Sequence, residues 1–492
     1  MSTEVVIAGG GPNGLMLAIE LGLAGIRPVV LEKLSEQALE NRANGLVGQV
    51  LRMLDRRGLY QRLSGSTQPP EPTPGYVFGA LPLDLSIVDD NSLCVLMVPQ
   101  RRVEQVLAER ARELGVEIRR GHELVNLTQT DAKVIARIDG PDGEYDLETG
   151  YLVGADGGRS TTRKLLGIDF PGVTKQNSVS RTAHAAVPAE FVVPNGLNVP
   201  GHGFIPAFLH HRTETGVFVY APLPTGTLLS SMEWSPGDET PLTLPELQAS
   251  IARVLGTELP LLPPAGDGPH LLRKLTSGNT RLAATFRSGR VLLLGDAAHV
   301  HAAIGGPGLN LGLQDAINLG WKLARVARGE ASEALLNTYE SERRPAAQRV
   351  VTHTQAQAAL IAPGGDVTAL RAPLTELLTQ PANTKFLADL LSGADITYNL
   401  GNGHPLTGHW CPDLEFDDGT RLADHTQDAC PLLLDLTGNL DIPGDDQLKV
   451  LTARADTPLT ALLLRPDCYV AWATESPVPD RTALKTALAT WT

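Results

Sequence analysis

"VVIAGGGPNGLMLAIELG" occupies residues 5–22 of the chain. Four apolar residues lead into three consecutive glycines, and a helix-forming stretch follows the last glycine of the loop. Gly9, Gly11 and Gly14 make the pattern G-x-G-x-x-G between a predicted strand and a predicted helix. Glycine allows the sharp turn and lets backbone N–H groups approach a pyrophosphate at the helix N-terminus. The segment therefore predicts a dinucleotide-binding βαβ unit.

An acidic residue follows at the distance such a unit requires. The second predicted strand, "RPVVLEK", ends at Glu32, which lies 18 residues after Gly14. A carboxylate at this place accepts hydrogen bonds from an adenosine ribose. A glycine-rich turn in another βαβ protein is the alternative for the motif alone, and the combination of strand, helix and acid favours dinucleotide binding.

Two further segments indicate which dinucleotide is bound. In "YLVGADGGRSTTR" (residues 151–163) an apolar strand ends at Asp156, and in "RVLLLGDAAHVHAAIGGPGLNLGLQDAINLGWKL" (residues 290–323) another ends at Asp296. Ligands of open α/β sheets bind beyond the carboxyl ends of the strands. The second segment also opens a helix at Gly308, whose positive N-terminus suits the anion of a reduced flavin. NAD carries no such anion, so the segment favours FAD.

These three segments, in this order, resemble the FAD-dependent aromatic hydroxylases related to para-hydroxybenzoate and phenol hydroxylase. The likeness is greatest to the subgroup of aromatic polyketide hydroxylases and rifampicin monooxygenase. The resemblance implies FAD as cofactor, NADPH or NADH as co-substrate, and a C4a-hydroperoxide that delivers oxygen to an electron-rich ring. Since no motif for a histidyl or cysteinyl flavin link is present, the FAD is expected to be non-covalent. The resemblance also implies that the flavin ring moves between an inner position and an outer position that meets NAD(P)H. Because the flavin carries the chemistry, no catalytic side chain is predicted.

The resemblance also implies the residues that contact the cofactor. Glu32 matches the ribose-binding acid, Arg42 an arginine beside the pyrophosphate, and Asp296 the acid that binds the ribityl chain. The complete set of expected FAD contacts is Gly9, Gly11, Asn13, Gly14, Glu32, Lys33, Arg42, Gln100, Leu124, Asp156, Thr161, Asp296, Gly308, Leu309 and Asn310.

A smaller set of residues is expected near the substrate. Many relatives carry glutamine where this chain has Pro307, and prolines where it has Ala302 and Ala303, so the shape of its pocket differs from theirs. Phe218 and Tyr220 share one face of a predicted strand, and Met232 and Trp234 share one face of another. Each pair either lines a pocket or packs against the FAD-binding part. The expected substrate contacts are Asn44, Phe218, Tyr220, Met232, Trp234 and Pro307.

The predicted fold is α/β: a Rossmann-like FAD-binding domain with an inserted β-sheet substrate domain and a C-terminal thioredoxin-like domain. The FAD-binding domain is expected in two pieces, residues 1–175 and 275–390. The substrate domain is expected at residues 176–274, and the C-terminal domain at residues 395–492. Thioredoxin chemistry requires a Cys-x-x-Cys pair, which the last domain lacks. It is therefore expected to be structural or to form an oligomer contact, which makes a homodimer possible.

Composition excludes several classes of partner. The formal net charge is −14, which argues against nucleic acid. No apolar run is long enough to span a bilayer, and no room precedes the first strand for a signal peptide. The four cysteines are far apart, as in a reduced, cytoplasmic protein. His299-x-His301 has no third ligand at metal spacing, so no metal is expected. The expected partners are a small aromatic substrate and O₂.

Other flavin functions remain open from the sequence. Baeyer–Villiger oxygenation uses the same family and the same flavin intermediate. A flavin-dependent reductase of unsaturated lipids would not consume O₂, and a non-catalytic flavoprotein that sequesters an intermediate would not turn over NAD(P)H. Flavin-dependent halogenases carry W-x-W-x-I-P, and none of the five tryptophans lies in such a motif.

Overall fold

The structure is a computed structural model. It describes residues 3–38, 44–223, 226–238, 240–268, 270–276, 278–302, 304, 306–401, 403–445 and 447–491. Among these residues, no helix has the length and apolar character that a membrane span requires.

The first part of the chain alternates strands and helices. Its strands are Thr3–Ala8 (β1), Val29–Glu32 (β2), Leu46–Val47 (β3), Gly75–Phe78 (β4), Leu81–Asp84 (β5), Val95–Leu96 (β6), Glu117–Arg120 (β7), Glu123–Gln129 (β8), Val134–Gly140 (β9) and Gly143–Gly154 (β10). Its helices are Pro12–Leu23 (α1), Gln49–Asp55 (α2), Tyr60–Ser64 (α3), Gln100–Glu113 (α4) and Thr161–Leu165 (α5).

The middle part is mostly strand. Its strands are Gly172–Lys175 (β11), Val179–His184 (β12), Val192–Val193 (β13), Gly196–Val199 (β14), Gly203–Pro206 (β15), His211–Arg212 (β16), Gly216–Leu223 (β17), Gly226–Glu233 (β18), Leu272–Leu275 (β19) and Gly278–Leu282 (β20). Its helix is Leu244–Leu255 (α6).

The remaining elements return to the first sheet and then build a separate small sheet. The strands are Arg287–Ser288 (β21), Val291–Leu293 (β22), His299–Val300 (β23), Leu432–Asp435 (β24), Lys449–Thr452 (β25), Ala461–Leu464 (β26) and Val470–Thr474 (β27). The helices are Pro307–Ala327 (α7), Ala334–Leu360 (α8), Gly365–Leu377 (α9), Pro381–Ser392 (α10) and Arg481–Trp491 (α11). Short 3₁₀ helices lie at Leu85–Ile87, Ala189–Phe191, Gly295–Ala297 and Leu422–His425.

The main sheet has the strand order β21-β22-β10-β1-β2-β7. Its central strands run parallel, so the carboxyl ends of β22, β10, β1 and β2 meet at one edge. Alternate residues of β1 are buried against helix α1 on one face and against the β8–β9 hairpin on the other. This double burial explains why the strand reads as a continuous apolar run.

Helices α1 and α7 pack closely because α7 has glycines where α1 has polar side chains. A β-carbon on Gly312 would lie 2.1 Å from the amide nitrogen of Asn13. A β-carbon on Gly320 would lie 2.3 Å from the β-carbon of Glu20. The glycines therefore bring the N-termini of the two helices to the same side of the molecule.

The second sheet has the order β16-β17-β18-β12-β19 and lies across a cavity from the carboxyl edge of the main sheet. One of its faces packs under α6 in a separate core that includes Leu247 and Ile251. The small C-terminal sheet has the order β25-β24-β26-β27, with β24 parallel to β25 and antiparallel to β26. This is the strand arrangement of a thioredoxin-like domain.

The first crossover of the C-terminal sheet departs from the thioredoxin pattern. Between β24 and β25, the described residues contain no helix. The Asp435 carboxylate instead orders this connection, because it accepts hydrogen bonds from the backbone N–H groups of Thr437, Gly438 and Leu440 at 2.8–3.0 Å. The mixed α/β fold class is confirmed, whereas the exact domain boundaries stay a prediction.

Buried charges join the C-terminal sheet to the helices behind the main sheet. Arg465 donates to both carboxylate oxygens of Glu342 at 2.8 and 2.9 Å. Lys322 donates to the same carboxylate at 2.7 Å. The two cations are fully buried, so the C-terminal unit is fixed to α7 and α8 by a desolvated ion network.

Candidate active site

A cavity of about 1010 Å³ lies between the carboxyl edge of the main sheet and the second sheet. This volume is at the top of the roughly 300–1,000 Å³ range of ligand pockets. The structure brings together, as lining residues, many that the sequence singles out: Gly9, Gly11, Asn13, Glu32, Lys33, Asn44, Gln100, Leu124, Asp156, Thr161, Asp296, Pro307, Gly308 and Leu309. Gly14 and Asn310 lie beside the cavity rather than in its wall. Arg42 lies outside the described residues.

The glycine loop has a different requirement at each of its positions. Gly9 has φ +119°, and a β-carbon there would lie 2.3 Å from the carbonyl oxygen of Ala155. A β-carbon on Gly14 would lie 2.0 Å from the carbonyl oxygen of Gly9. Gly11, which caps the N-terminus of α1, has no atom within 4 Å of its ideal β-carbon. Gly9 and Gly14 therefore permit the turn, and Gly11 leaves room for a ligand at the helix N-terminus.

Glu32 is oriented by the loop that it faces. Its Oε2 accepts a hydrogen bond from Gly10 N at 2.9 Å, and its Oε1 accepts one from Leu34 N at 2.9 Å. Each carboxylate oxygen retains a second lone pair for a ligand hydroxyl. Arg120 and His122, which were not predicted, line the same end of the cavity.

Two buried oxygen atoms in the cavity wall have no donor among the described residues. Asp156 accepts two hydrogen bonds from Thr162 through Oδ2, at 2.9 Å each, while its Oδ1 is unpaired. Asn13 Oδ1 is also buried and unpaired. A buried acceptor without a donor costs about 1–3 kcal/mol. A ligand with several hydroxyl groups would satisfy both atoms, so the residues fit a dinucleotide with a sugar and a polyol chain.

The N-terminus of α7 forms the junction between the polar and apolar parts of the cavity. Gly306 caps the helix with φ +67°, and Pro307, Gly308 and Leu309 form the cavity wall there. The Asn310 side chain points away, because its Oδ1 accepts from Val47 N at 3.0 Å and its Nδ2 donates to Gly306 O at 2.6 Å. These bonds fix the helix start, whose partial positive charge faces the cavity.

The other half of the cavity is mostly apolar. Strands β4, β6, β17 and β18 and the loop before β16 supply its walls. Its lining residues include Tyr76, Val77, Val95, Met97, Phe208, Leu209, His210, Val219, Ala221, Leu223 and Leu228. Burial raises the pKa of Tyr76 to about 12 and lowers that of His210. Both side chains are therefore uncharged at neutral pH.

The expected substrate role of Phe218 and Tyr220 is corrected by the register of β17. Both rings are buried on the face of the strand that packs under α6, so they do not reach the cavity. Since successive side chains point to opposite faces of a sheet, Val219 and Ala221 line the cavity in their place.

The expected substrate role of Met232 and Trp234 is corrected as well, and the pair instead follows the stated alternative of packing against residues of the expected FAD-binding part. Neither residue lines the cavity. Both contact a cluster around Ile304 and Ile361, where the second sheet meets the loop before α7 and the end of α8. Of the residues expected near the substrate, Asn44 and Pro307 lie in the cavity wall.

The two histidines of His299-x-His301 have different environments. His299 is buried, and its Nε2 lies 2.7 Å from Asp315 Oδ2. Asp315 in turn accepts from Arg343 Nε at 2.7 Å, so His299 belongs to a buried network behind α7. His301 lines the cavity. The described residues hold no group of three or more His, Cys, Asp or Glu arranged for a metal ion.

Comparisons with known proteins identify the two parts of the chain. Residues 2–354 match the model of the FAD binding domain family, and residues 404–492 match that of the aromatic-ring hydroxylase C-terminal family. The chain is 39% identical to 12-dehydrotetracycline 5-monooxygenase/anhydrotetracycline 6-monooxygenase of Streptomyces rimosus subsp. rimosus, over 100% of this chain and 99% of that protein. It is 37% identical to a rifampicin monooxygenase of Streptomyces venezuelae, over 99% and 98% of the two chains. Its structure is similar to that of an anhydrotetracycline hydroxylase from Streptomyces rimosus, with a TM-score of 0.86 at 38% identity over 100% and 99% of the chains.

Proposed function

Because this chain belongs to the class A FAD-dependent aromatic monooxygenases, we propose that it hydroxylates an aromatic scaffold of the polyketide or antibiotic type, with NAD(P)H as reductant. One observation carries the proposal. The N-termini of α1 and α7 open into a single cavity, one half of which is polar and the other mostly apolar. A dinucleotide and a flat apolar substrate can therefore meet at the start of α7.

Several polar groups of the cavity would hold the cofactor. The N–H groups at the start of α1 would bind the pyrophosphate, and Glu32 would bind the adenosine ribose. Asn13, Asp156 and Asp296 would accept hydrogen bonds from the remaining hydroxyl groups. The positive end of α7 would stabilise negative charge on the reduced ring.

When bound, FAD supplies the redox chemistry, in which a hydride comes from NAD(P)H and one oxygen atom of O₂ goes to the substrate. The apolar side chains of the second half, among them Val219, Ala221 and Leu228, would cover the substrate and keep water away from the reaction. They would also hold the substrate ring in a fixed orientation.

The test is a screen of the FAD-loaded protein with aromatic polyketide and antibiotic scaffolds. We expect one class of scaffold to stimulate NAD(P)H oxidation and to gain one labelled oxygen atom from ¹⁸O₂. A new phenol on an unchanged carbon skeleton supports hydroxylation, whereas an inserted ester oxygen indicates Baeyer–Villiger oxygenation. Conversion of a scaffold without O₂ or NAD(P)H consumption would contradict the proposal and favour a non-redox role of the flavin.

Two further expectations rest on the sequence alone. They are a cytoplasmic location, from the wide spacing of the four cysteines, and a homodimer. Cell fractionation and light scattering test them.

A further inference from the structure

His301 lies at the junction of the two halves of the cavity. It lines the wall, and its Nε2 lies 3.1 Å from the position that a β-carbon on Gly308 would occupy. Gly308 belongs to the first turn of α7, which faces the cavity beside Pro307. The imidazole is therefore adjacent to the place where substrate and cofactor would meet.

The hydrogen bond of Nδ1 fixes the tautomer of this ring. His301 Nδ1 lies 3.0 Å from the carbonyl oxygen of Ala302. A carbonyl oxygen only accepts, so Nδ1 carries the proton and donates it. In a neutral ring Nε2 then carries a lone pair. None of the described residues forms a hydrogen bond with Nε2, so the lone pair is available to a ligand.

The groups around His301 keep the ring neutral. Burial lowers its pKa, and His299, two residues earlier in the chain, lowers it further. The carbonyl of Ala302 and the carboxylate of Asp296 act in the opposite direction, and burial outweighs them. His353 approaches from α8. Burial lowers the pKa of His353 to about 4, with His301 and Arg349 acting in the same direction. At neutral pH, His301 is thus an uncharged base.

We propose that His301 Nε2 accepts the hydrogen bond of a phenolic or enolic hydroxyl group of the substrate and takes its proton during oxygen transfer. This inference rests on the proposed function and adds to it the residue that would receive the proton of the substrate. As the proton leaves, the O–H bond breaks and an N–H bond forms on Nε2. The electron pair stays on the substrate oxygen and increases the electron density of the attacked carbon. His301 returns the proton to that oxygen when the oxygenated carbon loses its hydrogen as a proton.

The first experiment measures binding and needs no turnover. FAD-loaded protein is titrated with 2-naphthol and with 2-methoxynaphthalene, which cannot donate a hydrogen bond. We expect 2-naphthol to bind about tenfold more tightly, a difference of ~1.4 kcal/mol. Because burial lowers the pKa of His301 below its ordinary value of 6.5, this preference should be constant at neutral pH and should be lost only as the pH falls below 6.5, where a protonated Nε2 cannot accept a hydrogen bond. Equal binding of the two compounds would overturn the inference.

Two variants of His301 distinguish the effect of a hydrogen-bond acceptor at this position from the effect of its change in charge with pH. His301→Phe keeps an aromatic ring without an acceptor, and we expect it to lose the preference. His301→Gln keeps an acceptor that does not titrate, and we expect it to retain part of the preference without pH dependence. His270→Gln, which alters an exposed histidine outside the cavity, is the matched control. A wild-type pH profile in His301→Gln would overturn the inference. FAD content is measured for every variant to detect misfolding.

Turnover measurements distinguish this inference from the proposed function. If no phenol is oxygenated but the hydroxyl preference and its pH dependence are present, the proposed function fails and the site assignment stands. If product forms at the same rate and with the same pH profile in His301→Phe, the assignment fails alone.

Discussion

The carbonyl oxygen of Gly9 lies 2.0 Å from the point that a β-carbon on Gly14 would occupy. This distance is far below any van der Waals contact. The strand β1 and the helix α1 can therefore be joined in this way only when the second of the two residues is glycine.

Gly14→Ala is expected to abolish FAD binding, because the added methyl group must displace the loop that faces the pyrophosphate. Overpacking of this kind costs about 1–3 kcal/mol or more, so we also expect a lower unfolding temperature. Gly11→Ala is the matched variant, since its β-carbon would meet no atom within 4 Å. It should fold normally and yet bind FAD at least about tenfold more weakly, because the methyl group enters the cavity. Isothermal titration with FAD and thermal melts of both apoproteins distinguish the two cases. Tight FAD binding by Gly14→Ala would contradict the geometry.

The flavin is expected to be bound without a covalent link. The described residues that line the cavity include no cysteine, and the sequence contains no motif for a histidyl or cysteinyl flavin bond. Acid precipitation of the yellow protein should therefore leave a colourless pellet and release all FAD into the supernatant. A pellet that stays yellow would show the prediction to be wrong.

Glu342→Gln is expected to destabilise the protein, because it removes the carboxylate that the buried Lys322 and Arg465 share and leaves Arg465 paired with Asp467 alone. Breaking a buried ion pair in this way costs roughly 3–5 kcal/mol. Burial raises the pKa of Glu342, but the attraction of Arg465 and Lys322 outweighs it and lowers the pKa from 4.5 to about 2. A carboxylate with a lowered pKa stabilises the folded state above its unfolded pKa, and this contribution disappears as the pH falls through the folded pKa. The difference in melting temperature between variant and wild type should thus be largest at neutral pH and should shrink between pH 4.5 and 2.

Glu475→Gln serves as the control for this measurement. The Glu475 carboxylate is exposed and its Oε1 lies 3.1 Å from His404 Nε2, and contacts of an exposed carboxylate contribute about 0–1 kcal/mol. Equal losses of stability in the two variants would argue against the buried network.

Replacement of Cys411, Cys430 and Cys468 by serine is expected to leave NAD(P)H turnover largely intact. Cys411 and Cys468 are buried free thiols, and Cys430 is half-buried. Burial raises the pKa of Cys411 to about 12, so this group is a thiol and not a reactive thiolate. In the folded protein, a thiol reagent should react mainly with Cys430. Loss of turnover with normal FAD content, or dithiol–disulfide exchange activity, would contradict a structural role.

Bound substrate is expected to raise the anaerobic rate of flavin reduction by NAD(P)H at least about tenfold, or ~1.4 kcal/mol of barrier. Gly306 and Gly308 border the cavity at the start of α7, where small residues allow the ring movement that the family resemblance implies. Stopped-flow reduction with and without substrate measures the effect. If the reduction rates with and without substrate are equal and product still forms, then substrate does not control flavin reduction. Pro307→Gln would then be the first variant to examine.

The polar half of the cavity, where we propose that FAD binds, brings together residues that the sequence singled out, because the determinants of this half are local. The turn at Gly9–Gly14, the strand end at Glu32 and the helix start at Pro307 each depend on a few consecutive residues whose steric and polar properties are visible in the sequence. Parallel strands then bring their carboxyl ends to one edge whatever the details of packing. The fold class followed from the same reasoning.

The lining of the apolar half of the cavity could not be anticipated in the same way. Alternation along β17 separates Phe218 and Tyr220 from Val219 and Ala221, but it does not say which face meets the cavity. That choice depends on α6, which lies later in the chain and covers the larger side chains because they bury more apolar surface. For Met232 and Trp234, alternation likewise leaves open whether the pair lines a pocket or packs against the FAD-binding part, and in the structure both pack with Ile304 and Ile361.

The sequence by itself determined the glycine-rich loop at residues 5–22, the order of the three glycine-containing segments along the chain, and the α/β class. These features depend on backbone sterics and on the period of apolar residues. Only the tertiary structure decided which side chains line the apolar half of the cavity, that His301 lines the cavity with Nδ1 bonded to Ala302 O, and which buried charges pair. Glu342 and Arg465 are 123 residues apart in the chain, and their pairing is set by the docking of one unit on another. Burial, long-range contact and desolvation are properties of the folded chain, which no local pattern specifies.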